Sequence, residues 1–276
     1  MRWVRRGITT LVGLTALALV VLYGGSAMLL DRRADVELPQ IKAATNPLDI
    51  LEGGRLARIE GCLDCHGGDA RGRLAFDQPA IARITAPALA RVAENATDGQ
   101  LARAIRNGVS IEARPLFMMP TQALNRLSDE DLARLIGWMR SLQTSAFDKV
   151  APKEVGPLGR FGLLIGKFQD SVTRTGGQPR RRPADIGRYL VETVCLECHL
   201  IDREKIEPAT GHAAPPLAAM VAGYDPAALR TLLRTGKAVG NRDVGLMSEA
   251  SRKGLYALTD PEIDSIQAYL RTQLRR

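Results

Sequence analysis

The chain has 276 residues, of which 45% are hydrophobic and 25% charged, a composition that fits a folded chain of about two domains and excludes a disordered one. The formal charge is +8, but residues 48–146 and 184–276 are each neutral, and the excess lies in residues 1–47 (+3) and 147–183 (+5). A nucleic-acid footprint would be a basic face on a folded domain, and 4% aromatic residues supply little for stacking on single strands, so nucleic acid is not an expected partner.

Gly7 to Leu30 is a run of 24 residues without a charge, preceded by Arg2, Arg5 and Arg6 and followed by Asp31, Arg32 and Arg33. As a helix it would be about 36 Å long at about 1.5 Å per residue, enough to cross a hydrocarbon core of about 30 Å. The length favours a retained membrane anchor over residues 1–33. A cleaved signal peptide is the rival, with Gly25-Ser26-Ala27 as its small-residue site. Either reading exports the chain beyond residue 33. Residues 34–47 read as a short linker.

Residues 48–146 and 184–276 read as one helical unit written twice. Gly54 and Gly187 each lie eight residues before a cysteine. The segment from Thr97 to Gly108 pairs with that from Asp225 to Gly236, each a helix with a capping residue at its start and glycine at its end. Ser128 and Thr259 are N-caps with Asp131 and Glu262 three residues on, close to a capping box. Apolar residues then recur at helical spacing: Leu132, Leu135, Ile136 and Met139 in one copy, Ile263, Ile266 and Leu270 in the other. Few stretches alternate with period two, so the fold class is all-α, with no convincing sheet. The connector, 147–183, is basic and punctuated by Gly156-Pro157, Gly176-Gly177 and Arg180-Arg181-Arg182-Pro183. Its run of Phe161, Leu163, Leu164 and Ile165 could dock on a neighbour.

All four cysteines fall in Cys-x-x-Cys-His: Cys62, Cys65 and His66, then Cys195, Cys198 and His199. This spacing reads as covalent attachment of c-type haem, one group per repeat. Two thiols add across the two vinyl groups, and the adjacent imidazole ligates iron. A four-thiolate zinc site, a redox dithiol or exported disulfides would use the same cysteines, but none explains the histidine after both pairs.

The chain has three histidines, so bis-histidine ligation of both haems is impossible and methionine is the expected distal ligand. Met119, before Pro120, and Met247 occupy equivalent places, 53 and 48 positions after His66 and His199. Met118 and Met220 are the alternatives to each, and His212 is a further one. For any single methionine, core filling is the competing role. The expected iron ligands are therefore His66 with Met119 and His199 with Met247. Each haem brings two propionates, for which Arg180, Arg181, Arg182, Arg160 and Lys167 are candidate partners, with anionic lipid the other destination for the same charge.

On these residues each half resembles a class I cytochrome c domain. Residues 84–142, with Ile84-Thr85-Ala86-Pro87, Met119-Pro120 and Leu127-Ser128-Asp129, resemble cytochrome subunits of membrane-bound bacterial dehydrogenases. The resemblance implies two tandem cytochrome c class I domains behind the anchor. Their first and last helices would cross near Gly54 or Gly187 against Trp138 or Tyr269, and the carbonyl of Pro87 or Pro216 would accept the second N–H of the proximal histidine. Repeat two departs from the pattern: it has no Met-Pro pair, and Leu200 stands where glycine follows His66. The implied function is that of a dihaem cytochrome relaying single electrons between periplasmic redox partners at the inner membrane, such as a dehydrogenase or oxidase complex, with no catalytic residue of its own. A dihaem peroxidase, a haem subunit of a terminal oxidase and a haem sensor are the rival classes.

Overall fold

The structure is a computed structural model, and it describes residues 1–149, 153–172, 180–206, 211 and 213–274. His212 and Gly176-Gly177 lie outside the described residues. The chain opens on a helix that runs unbroken from Arg2 to Asp31. It comprises α1 (Arg2–Val20), a π-helical turn (Val21–Gly25) and α2 (Ser26–Asp31). It is long and apolar enough to cross a membrane, and none of its most apolar stretch is buried against the rest of the protein.

The first repeat contains α3 (Pro47–Ile59), α4 (Cys62–His66), α5 (Leu89–Glu94), α6 (Asp98–Asn107), α7 (Thr121–Leu124) and α8 (Asp129–Ser141). After the connector helix α9 (Pro157–Leu164), the second repeat supplies α10 (Ile186–Thr193), a 3-10 turn at Cys195–Glu197, α11 (Leu217–Ala222), α12 (Pro226–Thr235), α13 (Leu246–Lys253) and α14 (Asp260–Gln273). Each repeat is built round a crossing of its first and last helices, α3 on α8 and α10 on α14. A core forms beneath each crossing. Leu56, Leu101, Leu132, Leu135 and Ile136 close the first, and Leu190, Leu229, Ile263, Ile266 and Leu270 the second.

Glycine makes both crossings possible, because only a residue without a Cβ lets two helix backbones approach this closely. A methyl group on Gly187 would overlap the Ser265 carbonyl. In the first repeat the same collision falls on Gly53, against the Arg134 carbonyl, whereas a Cβ on Gly54 would meet the Trp138 indole at 3.0 Å. The backbone contact is therefore one residue earlier than the sequence alignment implied, and Gly54 makes room for the indole.

Among the described residues, three small antiparallel sheets depart from the all-helical reading. The largest pairs β1 (Arg73–Gln78) with β2 (Ala82–Ala86), and β2 with β3 (Glu154–Val155). The second repeat carries β4 (Lys205–Ile206) with β5 (Ala213–Ala214), and β6 (Lys237–Ala238) with β7 (Arg242–Asp243). In β2 the inward residues are Ala82, Ile84 and Ala86. Two of these three are alanine, so the period-two signal is present but weak in hydrophobicity. Residues 34–46 have no regular structure but are pinned to the first repeat: Ala34 and Ala44 donate backbone hydrogen bonds to Ala113 and Ala133, and Ala43 to the Asp98 carboxylate at 2.8 Å.

The two repeats meet in a seam made by the helix caps. Ser128 caps α8 by accepting from the Asp131 N–H at 3.1 Å. Asp131 does not return the bond. Its fully buried carboxylate accepts from the Tyr189 hydroxyl of the second repeat at 2.7 Å, and Tyr189 in turn accepts from the Ser128 N–H at 3.0 Å. The other cap reaches the opposite way. Glu262, in the complete capping box of α14, takes both terminal nitrogens of Arg55 from α3 at 2.8 Å, the bidentate geometry that suits arginine. Ile59 of the first repeat is buried in the second core.

Replacing Gly53 or Gly187 with alanine is expected to lower the thermal midpoint, each by about 1–3 kcal/mol or more of overpacking, despite the roughly 1 kcal/mol that alanine gains in a helix. Gly223→Ala, where a Cβ makes only ordinary contacts, is the control. Thermal unfolding followed by circular dichroism checks this, and equal midpoints for all three variants would refute it.

Candidate haem-attachment sites

The first motif forms a helical turn of its own, α4, entered through Gly61 at φ 72° and left through Gly67 at φ 88°. Both conformations fall where glycine is favoured. The His66 carbonyl accepts from the Gly72 N–H at 2.7 Å. The second motif begins as the 3-10 turn, where the Cys195 carbonyl accepts from the His199 N–H at 3.0 Å. Leu200 replaces the glycine here, and its carbonyl accepts from the Leu217 N–H at 2.9 Å, which ties the exit of the motif to the start of α11.

The strongest geometric feature is repeated. His66 Nδ1 lies 2.7 Å from the Pro87 carbonyl, and His199 Nδ1 lies 2.8 Å from the Pro215 carbonyl. A carbonyl only accepts, so Nδ1 carries the proton in both rings and Nε2 keeps its lone pair for a metal. Burial holds the His66 pKa below its ordinary value, which favours the neutral imidazole that ligation requires, while the bond to Pro87 opposes the shift. The acceptor in repeat two is Pro215 and not Pro216. Pro216 is the N-cap of α11, as Ala88 is of α5, so Pro215 and Pro87 are the equivalent residues. Both prolines directly follow a strand, β2 or β5. The small sheets thus place the carbonyls that orient the histidines.

Met119 is partly buried and packs on the first core together with Cys62, whereas Met118 is 46% exposed at φ 63°. The two neighbours therefore point differently, and Met119 is the one turned inward. Met247, on α13, and Met220, on α11, both pack on the second core with Cys195 and Leu196. Met119 and Pro120 line a cleft whose other wall includes Leu196 and Glu197 of the second motif. The Lys205 ammonium caps that turn by donating to the Leu196 and Glu197 carbonyls.

Glu60 is the feature that the sequence pattern missed. It ends α3 two residues before Cys62, is 8% exposed, and neither of its oxygens has a hydrogen-bond partner among the described residues. Burial pushes its pKa up to about 8. The nearby Thr193 hydroxyl and Arg182 moderate the rise, and Asp131 adds to it. Its charge also bears on both motifs. The Cys62 and Cys195 thiols are each pushed up to about 12, first by burial and next by Glu60. Glu60 therefore sits between the two attachment sites. Thiols held neutral do not suit a reactive dithiol, and among the described residues no group of three or more His, Cys, Asp and Glu side chains comes together as a four-thiolate zinc site needs.

The Arg182 and Arg160 side chains have protein partners, and Arg180 is held by its backbone. Arg182 reaches Asp131 at 3.5 Å and lies over the Tyr189 ring, and the Arg180 backbone pairs with Asp129. Arg160 turns the other way, to Ser26 and the Tyr23 ring of the N-terminal helix. Arg160 is thus a residue of the helix junction and not of the seam.

The chain matches the cytochrome c family twice, over residues 50–143 and again over 184–273. It belongs to the cytochrome c family. This cytochrome is also similar to the fructose dehydrogenase cytochrome subunit of Gluconobacter japonicus, at 28% identity over an alignment of 300 residues. That alignment covers 94% of this chain and 58% of the relative, so the chain spans less than two thirds of the relative's length. Cytochrome c domains imply covalent haem c, and Nδ1–H imidazoles beside paired thiols are the donor set such a group needs.

Glu60→Gln is expected to leave stability nearly unchanged at pH 5 and to raise it at pH 8. A carboxyl whose folded pKa is raised keeps its proton in the folded state and loses it in the unfolded one, so stability falls as pH rises from about 4.5 to about 8. The variant has no such loss. Thermal midpoints of the haem-loaded protein across this range check it, and a pH-independent difference would refute it.

Proposed function

We propose that this cytochrome carries two covalently bound haem c groups and relays single electrons at the membrane between redox partners, one of them a dehydrogenase. Residues 1–33 act as a retained anchor, 34–47 as the link to a first haem domain (48–146), and 147–183 as the connector to a second (184–276), with both haem domains on the periplasmic side of the inner membrane. Cys62 and Cys65 attach one haem, with His66 and Met119 as iron ligands. Cys195 and Cys198 attach the other, with His199 and Met247.

The observation that carries this reading is the Nδ1-to-carbonyl bond made twice, at His66–Pro87 and His199–Pro215. It fixes the tautomer and the plane of each imidazole before any metal arrives, and it makes the coordinating nitrogen more basic. Bound haem c supplies a one-electron iron couple. With the groups bound, the protein's part would be to hold them near one another, to offer the Met119 and Met247 thioethers as ligands that raise the potential, and to keep water from the iron. The cleft that brings Met119 up to Leu196 and Glu197 supports a short path between the repeats. The similarity to a dehydrogenase cytochrome subunit supports the choice of partner.

Denaturing electrophoresis with haem staining is expected to give a coloured band, and Cys195→Ala with Cys198→Ala to remove about half of the bound haem. A colourless protein that contains zinc would overturn the reading. Met119→Ala and Met247→Ala should each abolish the low-spin methionine signature at one haem and lower its midpoint potential. A silent Met247→Ala beside an active Met220→Ala would move the second distal ligand to Met220. Steady turnover of hydrogen peroxide by the reduced protein would favour the peroxidase class instead.

A further inference from the structure

The connector helix α9 is fixed to the far end of the N-terminal helix. Arg160 donates to Ser26 Oγ at 2.9 Å, its guanidinium lies 5.0 Å from the centre of the Tyr23 ring, and the Leu164 side chain packs on Gly25. Arg32 and Asp170 close the same junction with an ion pair. The inner side of α9 is committed to the protein. Gly159 lies against the Ile81 carbonyl, and Leu163 joins the cluster of Leu30, Ala82, Ile84 and Phe117.

The outer side is apolar and uncovered. Leu158 and Phe161 on α9 and Ile165, the residue that caps its C-terminus, are 61%, 54% and 52% exposed, and their spacing of three and then four residues keeps them on one side. A stripe of this kind is a binding surface or a liability. The level at which it sits indicates its occupant. A hydrocarbon core of about 30 Å takes about 20 residues of helix. Counted from Gly7, that places the core's far boundary near Ser26, where α9 is docked. Tyr23, with Arg160 over its ring, is the amphipathic aromatic expected at such a boundary. At the same level the exposed Asp31 is paired with Arg114, which leaves exposed Arg33 and Lys167 to face anionic headgroups.

We propose that α9 is an interfacial helix. Its Leu158–Phe161–Ile165 face inserts among lipid headgroups and upper acyl chains beside the anchor, and it holds the first haem domain in one orientation on the membrane. This rests on reading the N-terminal helix as a membrane anchor, and it adds a second, non-spanning lipid contact in the middle of the chain. An anchor alone fixes where the first haem domain is attached but not how the domain tilts against the membrane. An attached interfacial helix removes that freedom and fixes which surface the domain turns towards a membrane-bound partner.

The test uses the full, haem-loaded chain in nanodiscs of phosphatidylcholine and phosphatidylglycerol that contain a phosphatidylcholine with a photoactivatable diazirine in its acyl chain. Tryptic peptides are read by mass spectrometry. Label is expected on the peptide Gly7–Arg32 and on Phe161–Lys167, and it should be several-fold weaker on the peptide ending at Arg55, which carries the exposed Leu48 and Leu51. Leu158→Glu with Phe161→Glu, both at exposed positions, should abolish labelling of the α9 peptide and leave the haem absorption spectrum and the label on Gly7–Arg32 unchanged. Label on Gly7–Arg32 without label on Phe161–Lys167 would overturn the interfacial helix and leave the anchor standing. Absence of label from both would remove the anchor reading itself and the proposal with it. Persistent labelling of α9 in the double variant would show that the stripe is not the lipid contact, and would overturn the proposal.

Discussion

The bond from a histidine Nδ1–H to a proline carbonyl is the constraint on which the rest of this cytochrome turns. An imidazole that ligates iron must present one nitrogen, in one plane, with its proton on the other. The chain meets that demand twice by the same route. A short strand brings a proline up to the histidine, and the next helix begins two residues later, at Leu89 or Leu217. Proline is apt here because the residue before it is held extended, which continues the strand up to the carbonyl that accepts. Much of the backbone between motif and helix can then vary. Repeat one spends it on a longer hairpin with a bulge between Leu74 and Phe76, and repeat two on the two-residue strands β4 and β5.

Two such sites keep a fixed separation only if the repeats are held in register, and the seam does this with reciprocal parts. The third residue of each terminal helix, Asp131 or Glu262, reaches the first helix of the other repeat, at Tyr189 or Arg55. In the second repeat the capping box stays complete while it also binds Arg55. In the first, Tyr189 has taken over half of the box: its oxygen receives the Ser128 N–H that an acid at this position would otherwise accept. A local helix-start motif has thus been turned into an interdomain latch without leaving a backbone donor unsatisfied.

The repeat, the caps, the helix periodicity and the Cys-x-x-Cys-His pairs were all legible because each is written within a dozen or so consecutive residues. What was not legible depends on partners distant in sequence. The strands escaped because β2 shows alanine on two of its three inward positions, and β4 and β5 are too short to carry a period. Pro215 was taken for Pro216 because two adjacent prolines look alike until the start of α11 fixes the register. The resemblance places the crossing near Gly54 against Trp138, and only the fold separates the two roles, Gly53 facing the Arg134 backbone and Gly54 the indole. Arg160 reads as one more connector cation, and only the fold shows that it faces Tyr23 and Ser26. Glu60 gave no signal at all, since a glutamate at the end of a helix is ordinarily solvated.

The position of Glu60 is explained by its surroundings. The seam buries two carboxyl groups, Asp131 and Glu60, with the partly exposed guanidinium groups of Arg134 and Arg182 at Asp131. The donors there go to Asp131: Tyr189 and Arg134 hydrogen-bond to it, and Arg182 stands at 3.5 Å. Glu60 is left without a hydrogen bond among the described residues, beside a carboxylate of like charge and in low dielectric, and both conditions favour its neutral form. Ionising Glu60 would place a desolvated charge beside the two motifs with no hydrogen bond to hold it, and burial makes that expensive. The pKa of about 8 is the measure of that expense, and it arises from the same contacts that latch the two repeats together.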